Sequence, residues 1–101
     1  MKAFERIGSL YGHTSVDIIK MNGKYYCLSE WNGEQYNTCW EIEKPIYNGY
    51  GYNAVAIDGK EYSFIPVYRW QAENINLDEL EENGEEWDKA IEVIDFNICD
   101  N

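Results

Sequence analysis

Three short turn signals divide the first two-thirds of the chain into strand-like segments. The dipeptides Asn22-Gly23, Asn32-Gly33 and Asp58-Gly59 each lie between runs rich in Val, Ile and Tyr. Asn, Asp and Gly tolerate the positive φ that tight hairpins require, so each dipeptide predicts the turn of a β-hairpin. Residues 1–72 are therefore expected to form an antiparallel sheet.

The apolar residues around the first turn favour one register. A three-residue loop, Asn22-Gly23-Lys24, pairs Ile18 with Leu28. A two-residue loop would instead set Asp17 opposite Leu28. Because a slip of one residue turns every side chain to the other face of a sheet, we expect the longer loop.

The second hairpin follows the same rule. With a three-residue loop, Asn32-Gly33-Glu34, Leu28 pairs with Thr38 and Tyr26 pairs with Trp40. The two hairpins then share one apolar face, which is predicted to be the core: Val16, Ile18, Tyr26, Leu28, Tyr36, Trp40 and Ile42.

The third turn is expected to be tighter. A two-residue loop at Asp58-Gly59 aligns Val55 with Tyr62, and the strand continues to Val67. Pro66 cannot donate a backbone hydrogen bond to a neighbouring strand. We therefore expect this strand to lie at an edge of the sheet or to carry a bulge.

The last third of the chain, residues 73–101, is predicted to be mainly helical. Asn74 or Asn76 can cap a first helix, and Asn83-Gly84 marks a break or a kink. Apolar residues then recur at helical spacing, which predicts a helix from about Glu85 to Ile94: Trp87, Ala90, Ile91 and Ile94. A strand remains an alternative over residues 91–98, because Ile94, Phe96 and Ile98 alternate with polar residues.

Together these patterns predict one α+β domain spanning residues 1–101. It comprises an antiparallel sheet of about five to six strands with an acidic C-terminal helix packed on one face. Since 45% of the residues are hydrophobic and 16% aromatic, a chain of this length can bury one modest core. No apolar run resembles a membrane span or a signal peptide, so we expect a cytoplasmic protein that does not bind membranes.

The residues that usually carry catalysis form no recognisable motif. Cys27, Cys39 and Cys99 lack C-x-x-C spacing and are expected to be free thiols, although the expected register sets Cys27 opposite Cys39. His13, the single histidine, lies in a turn-like segment. No nucleophile, phosphate-loop or calcium-loop pattern is present. The sequence therefore predicts neither an enzyme nor a bound cofactor or metal.

Charge provides the strongest functional indication. The net charge is −11, and residues 73–101 account for −10 of it. On a helix, these carboxylates would form a ridge that a basic protein surface, rather than nucleic acid itself, could bind. The predicted partner-binding residues are Asp78, Glu79, Glu81, Glu82, Glu85, Glu86, Asp88 and Glu92, together with the aromatic residues Tyr47, Tyr50, Tyr52, Trp31 and Trp70, since Tyr and Trp are enriched at interface hot spots.

In size, in its few cysteines and in the charged segment from Asp78 to Asp95, the chain resembles small acidic inhibitor proteins of bacteriophages and mobile elements, anti-CRISPR proteins in particular. The resemblance implies a non-catalytic inhibitor. Its acidic, nucleic-acid-mimicking surface would block a basic cleft of a nucleic-acid enzyme such as a CRISPR effector. Two alternatives remain open: an immunity protein or antitoxin that neutralises a basic toxin, and a small-ligand-binding or enzymatic domain with a pocket lined by Tyr26, Trp40 and Trp87.

Overall fold

The computed structural model describes residues 2–101, which form one eight-stranded sheet and two short helices. The strands follow the order β5-β6-β1-β2-β3-β4-β7-β8 across the sheet. Their bounds are β1 Phe4–Leu10, β2 His13–Met21, β3 Lys24–Leu28, β4 Tyr36–Ile42, β5 Ile46–Tyr47, β6 Tyr52–Asn53, β7 Ala56–Tyr68 and β8 Val93–Asp100. The helices are α1 Arg69–Ala72 and α2 Glu85–Ala90, with a 3₁₀ turn at Leu77–Glu79 between them.

The predicted α+β architecture is wrong. The sheet is mixed, since β6 runs parallel to β1 while the other pairs are antiparallel. The C-terminal segment adds the strand β8 to the sheet, so no acidic C-terminal helix packs on a sheet face within residues 2–101. Neither of the helices described is long and apolar enough to cross a membrane.

The sheet curls until its first long strand meets its last. The Ala3 amide donates a hydrogen bond to the Ile94 carbonyl oxygen at 2.8 Å, just before β1 and inside β8. The ring centroids of Phe4 and Phe96 lie 4.9 Å apart, although four other strands separate β1 from β8 in the sheet order. The curled sheet therefore has a concave face, onto which Phe4 and Phe96 point, and a convex face.

Each face carries its own apolar cluster. The concave cluster contains Ile19, Met21, Tyr26, Leu28, Cys39, Phe64 and Phe96. The convex cluster contains Val16, Ile18, Cys27 and Ile42, with Tyr52 and Ala54 packed against it. Full burial of an Ile, Leu or Phe side chain contributes roughly 1.5–3 kcal/mol, so both faces stabilise the fold. The prediction of one shared apolar face is wrong, because Ile18 and Trp40 lie on the convex side while Tyr26 and Leu28 lie on the concave side.

The first hairpin has the shorter of the two loops considered. Asp17 pairs with Leu28, and Met21 pairs with Lys24, across the two-residue turn Asn22-Gly23. Asn22 and Gly23 have φ values of 54° and 77°, as a type I′ turn requires at both central positions. The three-residue loop was predicted from apolar matching, which fails here because both faces of β2 are buried.

The second hairpin is also shifted by one residue from its predicted register. Cys27 pairs with Trp40 and Tyr26 with Glu41, so Cys27 is not opposite Cys39. The four residues after Trp31 form the loop, where the Asn32 side chain accepts hydrogen bonds from the Glu34 and Gln35 amides at 2.8 and 2.9 Å. This capping holds a loop one residue longer than expected.

The third turn signal does not form a hairpin. Residues 57–60 stand opposite the single residue Glu41, between the pairs Ile42–Ala56 and Trp40–Glu61. Asp58-Gly59 therefore lies in a wide bulge of β7, where the Lys60 amide donates to the Asp58 carboxylate at 2.9 Å. Strand β7 lies inside the sheet rather than at its edge, but its pairing with β4 ends at Phe64, before Pro66.

The helix predicted from Glu85 to Ile94 is wrong beyond Ala90. Helix α2 ends there, and β8 begins at Val93. In β8, Phe96 pairs with Pro66 and Ile98 with Phe64, so the alternating pattern describes this segment correctly. Ala90, which belongs to the predicted helical pattern, is the single buried residue of α2.

A close contact at Gly8 joins the edge of the sheet to the convex cluster. A Cβ atom at Gly8 would lie 2.7 Å from Cε2 of Tyr52. We expect Gly8→Ala to lower the free energy of unfolding by roughly 1–3 kcal/mol, because overpacking displaces the ring. Urea denaturation measures the change. In a Tyr52→Ala background the same substitution should cost clearly less; an equal cost in both backgrounds would contradict the proposed clash.

Candidate functional site

Residues 73–92, which connect α1 to β8, form an acidic lobe outside the sheet. They hold nine acidic residues and one basic residue. Apolar side chains at Ile75, Leu77, Leu80 and Trp87 are half-buried, and Ala90 is buried, so the lobe shields part of its apolar surface from water. The lobe is thus an ordered structure and not a charged tail.

The regular acidic ridge does not form because the lobe is broken into short turns. Asn74 and Asn83 adopt φ values of 55° and 64°, in the left-handed region that ends right-handed helices. Asn76 caps the 3₁₀ turn as expected, accepting a hydrogen bond from the Asp78 amide at 3.0 Å. On a continuous helix, Glu81 and Glu85 would be like charges at i,i+4, which are destabilising.

Most carboxylates of the acidic lobe are exposed and make no ion pair. Within residues 2–101, ion pairs involve only Glu73, Glu85 and Glu92 from this lobe. The remaining carboxylates are all exposed: Asp78, Glu79, Glu81, Glu82, Glu86 and Asp88. All eight acidic residues predicted to bind a partner therefore lie in one lobe, and six of them make no ion pair within residues 2–101.

The lobe is tied to the sheet at its base. Glu92 accepts a hydrogen bond from the Arg69 guanidinium at 3.1 Å and pairs with Lys2 Nζ at 3.2 Å. The Arg69 amide also donates to the Glu92 carbonyl oxygen at 2.9 Å. The guanidinium of Arg69, and then Lys2, hold the pKa of the Glu92 carboxyl below its usual range.

Exposed tyrosines form a second surface, the tyrosine patch: Tyr11, Tyr47 and Tyr50. Tyr50 is 88% exposed, and its ring lies 6.4 Å from that of Tyr11. The loop that carries it is fixed by Asn48, whose side chain accepts hydrogen bonds from the Tyr50 and Gly51 amides at 2.9 and 3.1 Å. Tyr52 packs into the convex cluster instead.

The predicted partner-binding residues do not form one surface. The acidic lobe contacts Lys2, just before β1, whereas Tyr11 of the tyrosine patch directly follows the end of β1. An extended strand of this length separates them by about 20 Å. Trp70 is half-buried in α1 at the base of the lobe, and Trp31 is 46% exposed on the concave side.

A cavity of about 350 Å³ opens on the concave face of the sheet. Its floor consists of core residues, and Trp31 stands at its rim. The main apolar lining residues are Phe4, Ile19, Leu28, Tyr36, Pro66 and Phe96. The pocket predicted from Tyr26, Trp40 and Trp87 is not this one, since none of them lines the cavity.

Sequence reasoning missed the cavity because its lining comes from distant segments. Lys2 and Phe4 precede Val93 and Phe96 by most of the chain, and the closure of the sheet brings them together. No local pattern marks such a closure. Of the predicted partner-binding residues, Trp31 and Glu92 line the cavity, but nothing in the sequence linked them to each other.

None of the three cysteines belongs to the lobe or lines the cavity. Burial raises the pKa of the Cys27 thiol to about 12 and that of Cys39 to about 11. The two thiols therefore remain protonated at neutral pH and are poor nucleophiles. Cys99 is exposed on β8, and His13 is exposed at the start of β2. Within residues 2–101, no three His, Cys, Asp or Glu side chains are grouped so that they could hold a metal ion.

Comparison of the chain with protein-family models, with curated proteins and with solved structures finds no match.

The ion pairs of Glu92 predict a pH dependence of stability. Because the pKa of Glu92 is lower in the folded protein than in the unfolded chain (about 4.3), its contribution is present above that pH and is lost as the pH falls through the folded pKa. We expect Glu92→Gln to destabilise the protein at neutral pH and the difference from wild type to shrink as the pH falls below about 4. Urea denaturation at a series of pH values measures this.

Glu5→Gln is the matched control, because Glu5 is exposed and makes no ion pair within residues 2–101. Its stability difference should be small at every pH. A Glu92→Gln difference that stays constant with pH would rule out the proposed anchoring.

Proposed function

We propose that this chain is a non-catalytic binding protein whose acidic lobe docks in the basic cleft of a nucleic-acid-binding protein and keeps nucleic acid out. The observation that carries the proposal is the set of exposed carboxylates without ion-pair partners: Asp78, Glu79, Glu81, Glu82, Glu86 and Asp88. Such carboxylates repel one another, and a partner lined with Lys and Arg relieves that repulsion.

The order of the lobe supports binding through a preformed surface. The half-buried Leu77, Leu80 and Trp87 and the capped 3₁₀ turn fix the backbone that carries the carboxylates. Glu85, Glu86 and Asp88 lie in the first turn of α2, where the helix dipole favours negative charge. A surface that is already ordered loses little conformational entropy on binding.

The chemistry of carboxylates supports a phosphate-binding cleft as the site on the partner. Duplex nucleic acid presents about one charge per 1.7 Å of axis, and proteins bind it mainly through Lys and Arg. Arginine forms bidentate hydrogen bonds to carboxylates as it does to phosphates. A dense group of exposed carboxylates can therefore compete for the same guanidinium groups without a regular helical ridge.

The remaining charges support the lobe as the site of contact. Residues 1–72 carry a net charge of only −1, and there Arg6 pairs with Asp17 and Lys24 with Glu41. A basic partner approaching this protein is thus attracted towards the lobe. Such steering increases the association rate and weakens as salt increases.

Two matched triple variants test the proposal. Glu79→Lys, Glu81→Lys and Glu82→Lys reverse charge on the lobe, whereas Glu5→Lys, Glu34→Lys and Glu43→Lys reverse the same number of exposed glutamates outside it. Immobilised wild-type protein is incubated with host lysate, and bound proteins are released with duplex DNA. We expect a nucleic-acid-binding protein to be released, since DNA competes for its basic cleft.

Affinity of the released partner is then measured for each variant by titration at about 50 and 200 mM salt. We expect the lobe variant to bind at least about tenfold more weakly, equivalent to ~1.4 kcal/mol, and the control variant to bind within about twofold of wild type. Equal weakening by both variants would mean that only net charge matters. That result, or the absence of any protein released by DNA, would refute the proposal.

A further inference from the structure

Four aromatic rings form a continuous wall along the concave face of the sheet. Trp31 and Tyr36 have ring centroids 4.9 Å apart, Tyr36 and Phe96 are 6.2 Å apart, and Phe96 and Phe4 are 4.9 Å apart. All four rings line the cavity. We propose that the cavity binds a small, uncharged, planar aromatic molecule that packs against this wall.

The size of the cavity fits one small molecule. Its volume of about 350 Å³ lies near the lower end of the range of ligand pockets, about 300–1,000 Å³. Its floor is formed by Ile19, Leu28 and Phe96, which are at most 8% exposed. An apolar molecule in this cavity would be buried against the floor residues and against the aromatic wall. This burial is the expected source of its affinity.

The charges at the rim select an uncharged molecule. Arg6 Nη2 lies 3.0 Å from Asp17 Oδ1, and Lys2 Nζ lies 3.2 Å from Glu92 Oε1. The second oxygen of Glu92 is bound to Arg69 at 3.1 Å. Each charged group that lines the cavity is thus already paired. A charged ligand would have to compete with one of these pairs, whereas an uncharged one leaves them intact.

Two tyrosines of the lining offer phenol groups that could hydrogen-bond a bound molecule. Tyr36 and Tyr68 both line the cavity, and burial, followed by the nearby Asp17 carboxylate, raises the pKa of Tyr36. The phenol therefore remains a hydrogen-bond donor throughout the physiological range. A heterocyclic nitrogen or a carbonyl oxygen on the planar ligand would be a suitable acceptor.

Two fluorescent probes with the same ring structure test whether the cavity binds an aromatic molecule and whether it prefers an uncharged one. N-phenyl-1-naphthylamine is uncharged, and 8-anilino-1-naphthalenesulfonate adds a sulfonate to the same rings. We expect the uncharged probe to bind saturably at a single site and the sulfonate to bind at least about tenfold more weakly. Equal affinity for the two probes, or no saturable binding of the uncharged one, overturns the proposal.

A matched pair of valine variants locates the site. Val93 lines the cavity and is partly buried, whereas Val55 is 60% exposed and lies outside it. Val93→Trp should fill the cavity and abolish binding of the uncharged probe, while Val55→Trp should leave binding unchanged. Circular dichroism reports whether each variant is folded. Unchanged binding to folded Val93→Trp overturns the proposal.

A second pair of variants, at Trp31 and Tyr50, locates the probe if Val93→Trp does not fold. Trp31 and Tyr50 are both exposed aromatic residues, but Trp31 lines the cavity and Tyr50 lies in the tyrosine patch. Trp31→Ala should weaken probe binding about threefold to tenfold, and Tyr50→Ala should not change it. The reverse result would place the probe on the tyrosine patch and refute the cavity site. Because no residue of the acidic lobe triple variant lines the cavity, this test is independent of the proposed partner.

Discussion

The contact between the first and last long strands is the constraint on which the rest of the structure depends. The hydrogen bond from Ala3 to Ile94, the packing of Phe4 on Phe96 and the ion pair of Lys2 with Glu92 bring β1 and β8 together. Without this contact, the concave apolar cluster would lose the packing of Phe4 against Phe96 and would be more exposed to water. The same contact closes one side of the cavity and holds the base of the acidic lobe against the sheet.

Two of the three predicted hairpins are present, but their register could not be predicted from the sequence. Asn22-Gly23 and Asn32-Gly33 do lie between paired strands. Apolar matching failed because the adjacent residues Ile18 and Ile19 are both at most 2% exposed, so both faces of β2 are apolar. A slip of one residue would therefore not place a polar side chain in the core, and the pattern does not select a register. The loop lengths were decided locally instead, by the positive φ of Asn22 and by hydrogen bonds to the Asn32 side chain.

In the C-terminal third, the charge distribution could be read from the sequence, while the length of the helix and its place in the fold could not. The acidic residues do lie together, but positive φ at Asn74 and Asn83 divides the lobe into short turns. The strand alternative over residues 91–98 was correct from Val93 onward, because this segment pairs with β7, where Phe96 lies opposite Pro66 and Ile98 opposite Phe64. Over so short a segment, the same apolar residues fit both a helical and a strand period. Pairing with a neighbouring strand then decides which structure forms. The cavity depends on the closure of the whole sheet, which no local pattern contains.

The closure of the sheet can be measured most directly by NMR of isotope-labelled protein. Nuclear Overhauser effects between the ring protons of Phe4 and Phe96, together with hydrogen exchange of the Ala3 amide, report on the two contacts that join β1 to β8. We predict that the two rings give mutual cross-peaks and that the Ala3 amide is protected from exchange. An unprotected Ala3 amide without ring cross-peaks would mean that the sheet is open, in which case neither the cavity nor the anchoring of the acidic lobe could exist as described.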